Sequence, residues 1–209
     1  MKRMSRALEA YWTVFLLFEL ALGIYIALLG RFDQMRIVND WHVYKLDYLF
    51  RLLSFAGELL IPVLVLILFF VKKRAWVKPF LISYASSTLI VQGLKHLIFP
   101  ADLRPYAFFK SLDFNWYLVP GVDINEYFSF PSGHTAAAWF CFVWIALYVN
   151  KRWTGVLMAI LACGVGISRV YLFQHFPMDV IGGTILGIML TGVLAYRTKL
   201  EKFFEKSKT

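Results

Sequence analysis

The chain has 209 residues, of which 60% are hydrophobic and 17% charged, with a net charge of +9 and a mean hydropathy of +0.63. A soluble domain usually carries about 25% charged residues to cover its surface, so this composition excludes an ordinary soluble globule. The positive balance does not point to nucleic acid either, because Lys and Arg sit mainly in short connections between apolar runs, as in a polytopic membrane protein. The length suits one domain, 1–209.

In chain order, Met1-Lys2-Arg3-Met4-Ser5-Arg6 opens into an apolar run at 11–29. That run is too long for a typical signal core, and Gly30-Arg31-Phe32-Asp33 follows it in place of a small-residue cleavage site. It is predicted to be an uncleaved first spanning helix. Five more segments approach the roughly 20 residues that a bilayer requires: 52–71, 80–99, 134–149, 153–173 and 180–196. The predicted fold class is therefore all-α, with six transmembrane helices. Cys141 and Cys163 lie inside these runs without metal-type spacing and read as packing residues.

With the N-terminus inside, 14 of the 22 Lys and Arg fall on the cytoplasmic side, among them Lys72, Lys73, Arg74, Lys78, Lys151, Arg152 and the C-terminal group from Arg197 to Lys208. This bias predicts cytoplasmic termini in a cell inner membrane, with the long connections 30–51 and 100–130 outside. Trp12, Trp41, Trp76, Trp116 and Trp153 near segment ends fit interfacial anchoring. Gly183 and Gly187, four apart, allow close helix packing.

Three clusters place ionisable groups at the outer ends of apolar segments, where charge is expensive and tends to be functional. They are Lys95 with Arg104-Pro105, then Pro131-Ser132-Gly133-His134, then Ser168-Arg169 with His175 and Asp179. All three emerge on one face in the topology just given. Lys95, Arg104 and Arg169 supply three cations suited to phosphate oxygens. Ser132 and Gly133 precede a helix whose N-terminus favours an anion, and Gly133 admits close backbone approach.

Two histidines add chemistry to binding. His175 and Asp179 are four apart, so a helical turn can hold the carboxylate against the imidazole, as in other nucleophile and orienter pairs. His134 stands beside the anion turn, placed to protonate a departing oxygen. Phosphoryl transfer asks mainly for positioning and charge stabilisation, which three cations can supply without a metal or other cofactor. His42 and His96 read instead as interfacial hydrogen-bonding residues. The aromatic run Tyr106, Phe108, Phe109, Phe114, Trp116 and Tyr117 reads as an interfacial lid or belt.

Lys95-x8-Arg104-Pro105, Pro131-Ser132-Gly133-His134 and Ser168-Arg169-x5-His175-x3-Asp179 together resemble the type 2 phosphatidic acid phosphatase superfamily, over a motif region of 95–183. The resemblance implies a metal-independent lipid phosphatase with His175 as nucleophile forming a phosphohistidine, Asp179 its partner and His134 the general acid. Lys95, Arg104, Ser132, Gly133 and Arg169 would hold the phosphoryl oxygens. One departure stands out: eight residues separate Lys95 from Arg104-Pro105 where the family usually has six. The implied partner is a phosphorylated membrane lipid, with undecaprenyl diphosphate, phosphatidylglycerophosphate and lipid A phosphates as candidate substrates. A phosphotransferase using the same site, and a phospholipid transporter, are the alternative readings.

Overall fold

A computed structural model describes residues 5–189, all helices and connections, with no strand among the described residues. Helix α1 spans Arg6–Leu28. The Ser5 hydroxyl caps it by accepting the Leu8 N–H at 3.2 Å, satisfying one of the donors that a helix start leaves over. Gly30 then turns the chain into the short α2, Arg31–Asn39. Gln34 ties α2 back to the end of α1 by donating to the Leu29 carbonyl at 2.7 Å.

The second predicted span is one rod in three parts: α3 (Tyr44–Phe55), a π-turn (Ala56–Leu60) and α4 (Ile61–Lys72). Pro62 explains the break, since it has no N–H to give to residue 58 and its ring crowds that carbonyl. The rod accommodates this by widening for one turn. A 3₁₀ turn, Arg74–Trp76, leads to α5 (Val77–Gly93), which ends in a second π-turn, Leu94–Ile98. The short α6, Pro105–Phe109, starts with proline at its first position, where the missing N–H costs nothing. After the long connection come α7 (Gly133–Val149) and α8 (Arg152–Tyr171). Between them Asn150 takes a left-handed conformation at the C-cap, φ 54°, a role asparagine tolerates. The last helix among the described residues, α9, is Pro177–Met189.

Helical segments fall within each of the six predicted spans, the sixth being described only as far as Met189. By length and composition, Arg6–Leu28 and Arg152–Tyr171 suffice to cross a bilayer, while Ile61–Lys72, Gly133–Val149 and Pro177–Met189 are shorter apolar helices. The part of the sixth predicted span beyond Met189, with the basic residues Arg197 to Lys208, lies outside the described residues, as do Lys2 and Arg3. Leu16, Leu17, Leu20, Ile24 and Leu28 on α1, and Val63, Leu64, Ile67 and Phe70 on α4, are exposed. Apolar surface on this scale marks contact with lipid or protein.

Helix α7 is the axis, buried on most sides by α1, α4, α5 and α8. Trp139 at its centre is fully buried, meets the Tyr11 ring edge-on at 5.3 Å, and accepts the Tyr11 hydroxyl on its carbonyl at 2.8 Å. The Gly183 and Gly187 pair seats α9 directly on α7. A Cβ on Gly183 would lie 2.5 Å from the Ser132 carbonyl, and one on Gly187 2.6 Å from that of Ala136. Packing of this closeness drives helix association where lipid is as apolar as leucine. Cys141 is buried, Cys163 is partly buried and both are free, in keeping with a packing role. A second core joins Phe109, Trp116, Phe173 and Phe176. Phe109 is therefore an interior residue rather than belt and Trp116 packs half-buried against it, while Phe108, Phe114 and Tyr117 remain exposed.

Candidate active site

The three sequence clusters converge where the N-termini of α7 and α9 meet the C-terminus of α8. The joint between them is local. Helix α8 stops at Tyr171, and Phe173 adopts φ 59°. The N–H groups of Gln174 and His175 both return to the Arg169 carbonyl, at 2.9 and 3.1 Å. This tight turn brings His175 to the mouth of α9. Phe128, on the loop opposite, takes φ 58°. Positive φ in a bulky residue is strained, and such strain collects at functional sites.

His175 and Asp179 are both buried, and Nδ1 of His175 lies 3.3 Å from Oδ2 of Asp179. That same oxygen accepts the Ser129 hydroxyl at 2.6 Å and the Phe176 N–H at 2.8 Å. With the carboxylate so held, a proton on Nδ1 would point at Asp179 and leave Nε2 as the basic nitrogen. Burial first, and then the charges of Arg169, Arg104 and Lys95, hold the His175 pKa well below the usual histidine value. That shift favours the neutral ring, the state a nucleophilic nitrogen requires.

The cations are arranged around it. Arg169 is buried, and one guanidinium nitrogen donates to the Ser54 hydroxyl. Its other terminal nitrogen reaches Oε1 of Gln174 at 3.5 Å, while Nε is buried without a partner among the described residues. Arg104 donates to the same Gln174 oxygen at 3.1 Å and to the Tyr127 carbonyl at 2.9 Å. Gln174 itself is fixed by donating to the Asp123 carbonyl at 2.9 Å. One amide oxygen therefore holds two guanidinium groups side by side, as a phosphate oxygen would.

Lys95 joins them despite its long spacing from Arg104. It sits in the Leu94–Ile98 π-turn, where the Phe99 N–H bonds to the Leu94 carbonyl at 2.9 Å. Its side chain is buried, with Nζ 2.7 Å from the Phe128 carbonyl, near enough to Arg104, Arg169 and Asp179 to interact with their charges. The residues that follow include Asp102, whose carboxylate accepts the Phe130 N–H at 2.9 Å. The stretch between Lys95 and Arg104 thus both widens the helix end and braces the loop.

At the anion turn the Ser132 N–H is already donated to the Asp179 carbonyl at 2.9 Å, and the Ser132 hydroxyl accepts Thr135 at 2.8 Å. Donors for an anion at this helix start are accordingly the N–H groups of Gly133 and His134. Nε2 of His134 lies 4.0 Å from Oε1 of Glu58, and both residues line a cavity of about 160 Å³ with Ser87, Thr88 and Gln92. Among the described residues, no group of three or more His, Cys, Asp or Glu side chains is placed to hold a metal ion.

All eight residues singled out from sequence belong to this one region. Gln174, Ser129, Asp102, Ser54 and Glu58 were not singled out as site residues. Gln174 adjoins His175, and Asp102 falls in the anomalous spacing, so each had a faint local signal. Ser54 meets Arg169 only through space, 115 positions away.

Residues 76–202 match the PAP2 superfamily. The chain belongs to that superfamily. It is 32% identical to the undecaprenyl-diphosphatase of Sulfolobus acidocaldarius over 85% of each chain. It is 31% identical to phosphatidylglycerophosphatase B of Bacillus subtilis, over 72% of this chain and 74% of that one. Among solved structures it is similar to Aquifex aeolicus LpxE, with a TM-score of 0.67 and 25% identity, covering 79% of this chain and 94% of the other. The PAP2 motifs therefore lie within a matching fold as well as a matching sequence.

Proposed function

We propose that this PAP2 protein is an integral-membrane lipid phosphatase that removes phosphate through a covalent phosphohistidine on His175. One observation carries the reading: a neutral, buried imidazole held by Asp179 faces three clustered cations. In the first step Nε2 of His175 attacks phosphorus. The bond from phosphorus to the leaving oxygen breaks, its electron pair stays on that oxygen, and His134 supplies the proton. In the second step water attacks the phosphohistidine, the P–N bond breaks, His134 takes up a water proton and inorganic phosphate departs. Lys95, Arg104, Arg169 and the N–H groups at the start of α7 stabilise the equatorial oxygens throughout.

The substrate is a phosphorylated membrane lipid. The related proteins are named for different lipids, so kinship supports the class and leaves undecaprenyl diphosphate, phosphatidylglycerophosphate and lipid A phosphates as the candidates. Six spans with cytoplasmic termini, the site facing the exterior and the chain forming a single domain complete the proposal, supported by the distribution of Lys and Arg. The test is phosphate release by the purified protein in excess EDTA across those lipids, beside His175→Ala. Turnover that resists EDTA and vanishes in the variant is expected; equal turnover by the variant would rule His175 out.

A further inference from the structure

Glu58 stands in the apolar stretch 52–71, where charges are few and tend to be functional, and its side chain is 62% exposed at the open side of the cavity it lines. It occupies the Ala56–Leu60 π-turn, and turns of this kind recur at functional sites. Its neighbour Gly57 is what brings it in. A Cβ on Gly57 would lie 2.5 Å from Cγ1 of Val165 and 3.4 Å from the His134 carbonyl, so glycine lets the turn lie flush against the start of α7. The Glu58 carboxylate is thereby set 4.0 Å from Nε2 of His134 across their shared cavity. That separation suits an ion pair and exceeds a hydrogen bond.

A general acid must carry its proton when the leaving oxygen departs. The charged and titratable groups around His134 are Arg169 on α8, His175 on the following turn, Arg104 at the start of α6 and Lys95 in the second π-turn. Tyr84 on α5 also lines the cavity. Four of these groups are cations or become cations on protonation, so an imidazolium in their midst needs a counter-charge. Asp179 is engaged with His175 and Ser129. Glu58 approaches His134 from the cavity side, and its charge also reaches Arg169.

We propose that Glu58 is a positioning residue that keeps His134 protonated for the expulsion of poor leaving groups. The proposal rests on the phosphohistidine reading above and adds a member to its machinery. Glu58 forms no bond to the substrate. It sets the charge on His134, and hence the rate at which an alkoxide-like oxygen can leave.

The test compares kcat/KM of Glu58→Gln on two substrates of equal chain length, an alkyl phosphate and an alkyl-substituted 4-nitrophenyl phosphate. The nitrophenolate departs without a proton, and kcat/KM reports steps up to the breaking of its bond. General acid catalysis contributes typically 10²–10⁴-fold, so part of that, about 10–100-fold, is expected to be lost on the alkyl substrate. The aryl substrate should stay within about two-fold of wild type on the same free-energy logic. The alkaline limb of the alkyl profile should move to lower pH, and Glu58→Asp should restore part of the rate. Equal loss on both substrates, or none on the alkyl phosphate, would overturn the proposal. His175→Ala, run alongside, tests the parent reading separately: retained turnover there would sink the phosphohistidine whatever Glu58 does.

Discussion

Asp179 acts through both side chain and backbone: its Oδ2 faces the His175 ring and gathers Ser129 and the Phe176 N–H, while its backbone carbonyl takes the Ser132 N–H. Asp179→Asn keeps the shape but can present an amide to the imidazole and favour the wrong tautomer, as in other His–Asp pairs. We expect kcat to fall by about 10²–10⁴-fold with the fold retained, checked by kinetics beside thermal unfolding. Gln174→Leu leaves Arg104 and Arg169 without their shared acceptor, so the guanidinium groups spread. A loss of about ten-fold in kcat/KM is expected, of the order of one hydrogen bond to a charged group. Because His175 titrates well below the usual 6.5, activity should not fall as pH drops from 7 through that value. A pH–rate profile losing most activity near 6.5 from His175 protonation would contradict the burial argument. The candidate site was legible as a cluster because its members lie in short, dense motifs at the ends of apolar runs. Gln174 and Glu58 were not, because an amide or a carboxylate gains meaning only from what the fold sets against it.

At the level of elements, the two π-turns do the positioning. One presents Lys95 in spite of its unusual spacing, and the other presents Glu58. Neither was legible in the apolar pattern, since one extra residue in a turn barely changes the spacing of hydrophobic side chains. The all-helical character was legible from length and composition, and so was the packing role of Gly183 and Gly187. Gly183→Val would drive a side chain against the Ser132 carbonyl. It should lower both thermal stability and kcat, since the anion turn has to move. A separate brace joins α3, α8 and the long connection. Asp47 accepts the hydroxyls of Tyr171 at 2.6 Å and Tyr117 at 3.0 Å, and pairs with His42 Nδ1 at 2.8 Å. His42 is thus a hydrogen-bonding residue, as expected, though a buried one. Burial alone would raise the Asp47 pKa, but these hydrogen bonds hold it below its ordinary value. The stabilisation is therefore full above the unfolded carboxyl pKa of about 3.9 and is lost as pH falls through the lower folded value. Asp47→Ala should cost on the order of 2 kcal/mol at neutral pH, with the gap from wild type closing in acid, as thermal melts at pH 7 and pH 3 would reveal.

Across the whole molecule, an apolar jacket surrounds a polar site at one end of the helices, which suits an amphiphile whose phosphate stays at the membrane surface. The proposed orientation is open to cysteine mapping, because Cys141 is buried and Cys163 only partly exposed. Ser111→Cys, on the long connection, should react with a membrane-impermeant maleimide in intact cells. Lys151→Cys, between α7 and α8, should react only after permeabilisation; the reverse pattern would invert the site. Which lipid is cleaved was never legible, since PAP2 motifs read the phosphate and not its tail. The chemistry itself can be caught directly. Purified protein is mixed with ³²P-labelled substrate, quenched in alkali within one turnover, digested and mapped by mass spectrometry. A base-stable, acid-labile phosphoryl group on His175, absent from His175→Ala and accumulating in His134→Ala when water attack slows, is the expected result. Rapid phosphate release with no phosphoryl-enzyme at any quench time, or a label on another residue, would contradict a phosphohistidine at His175.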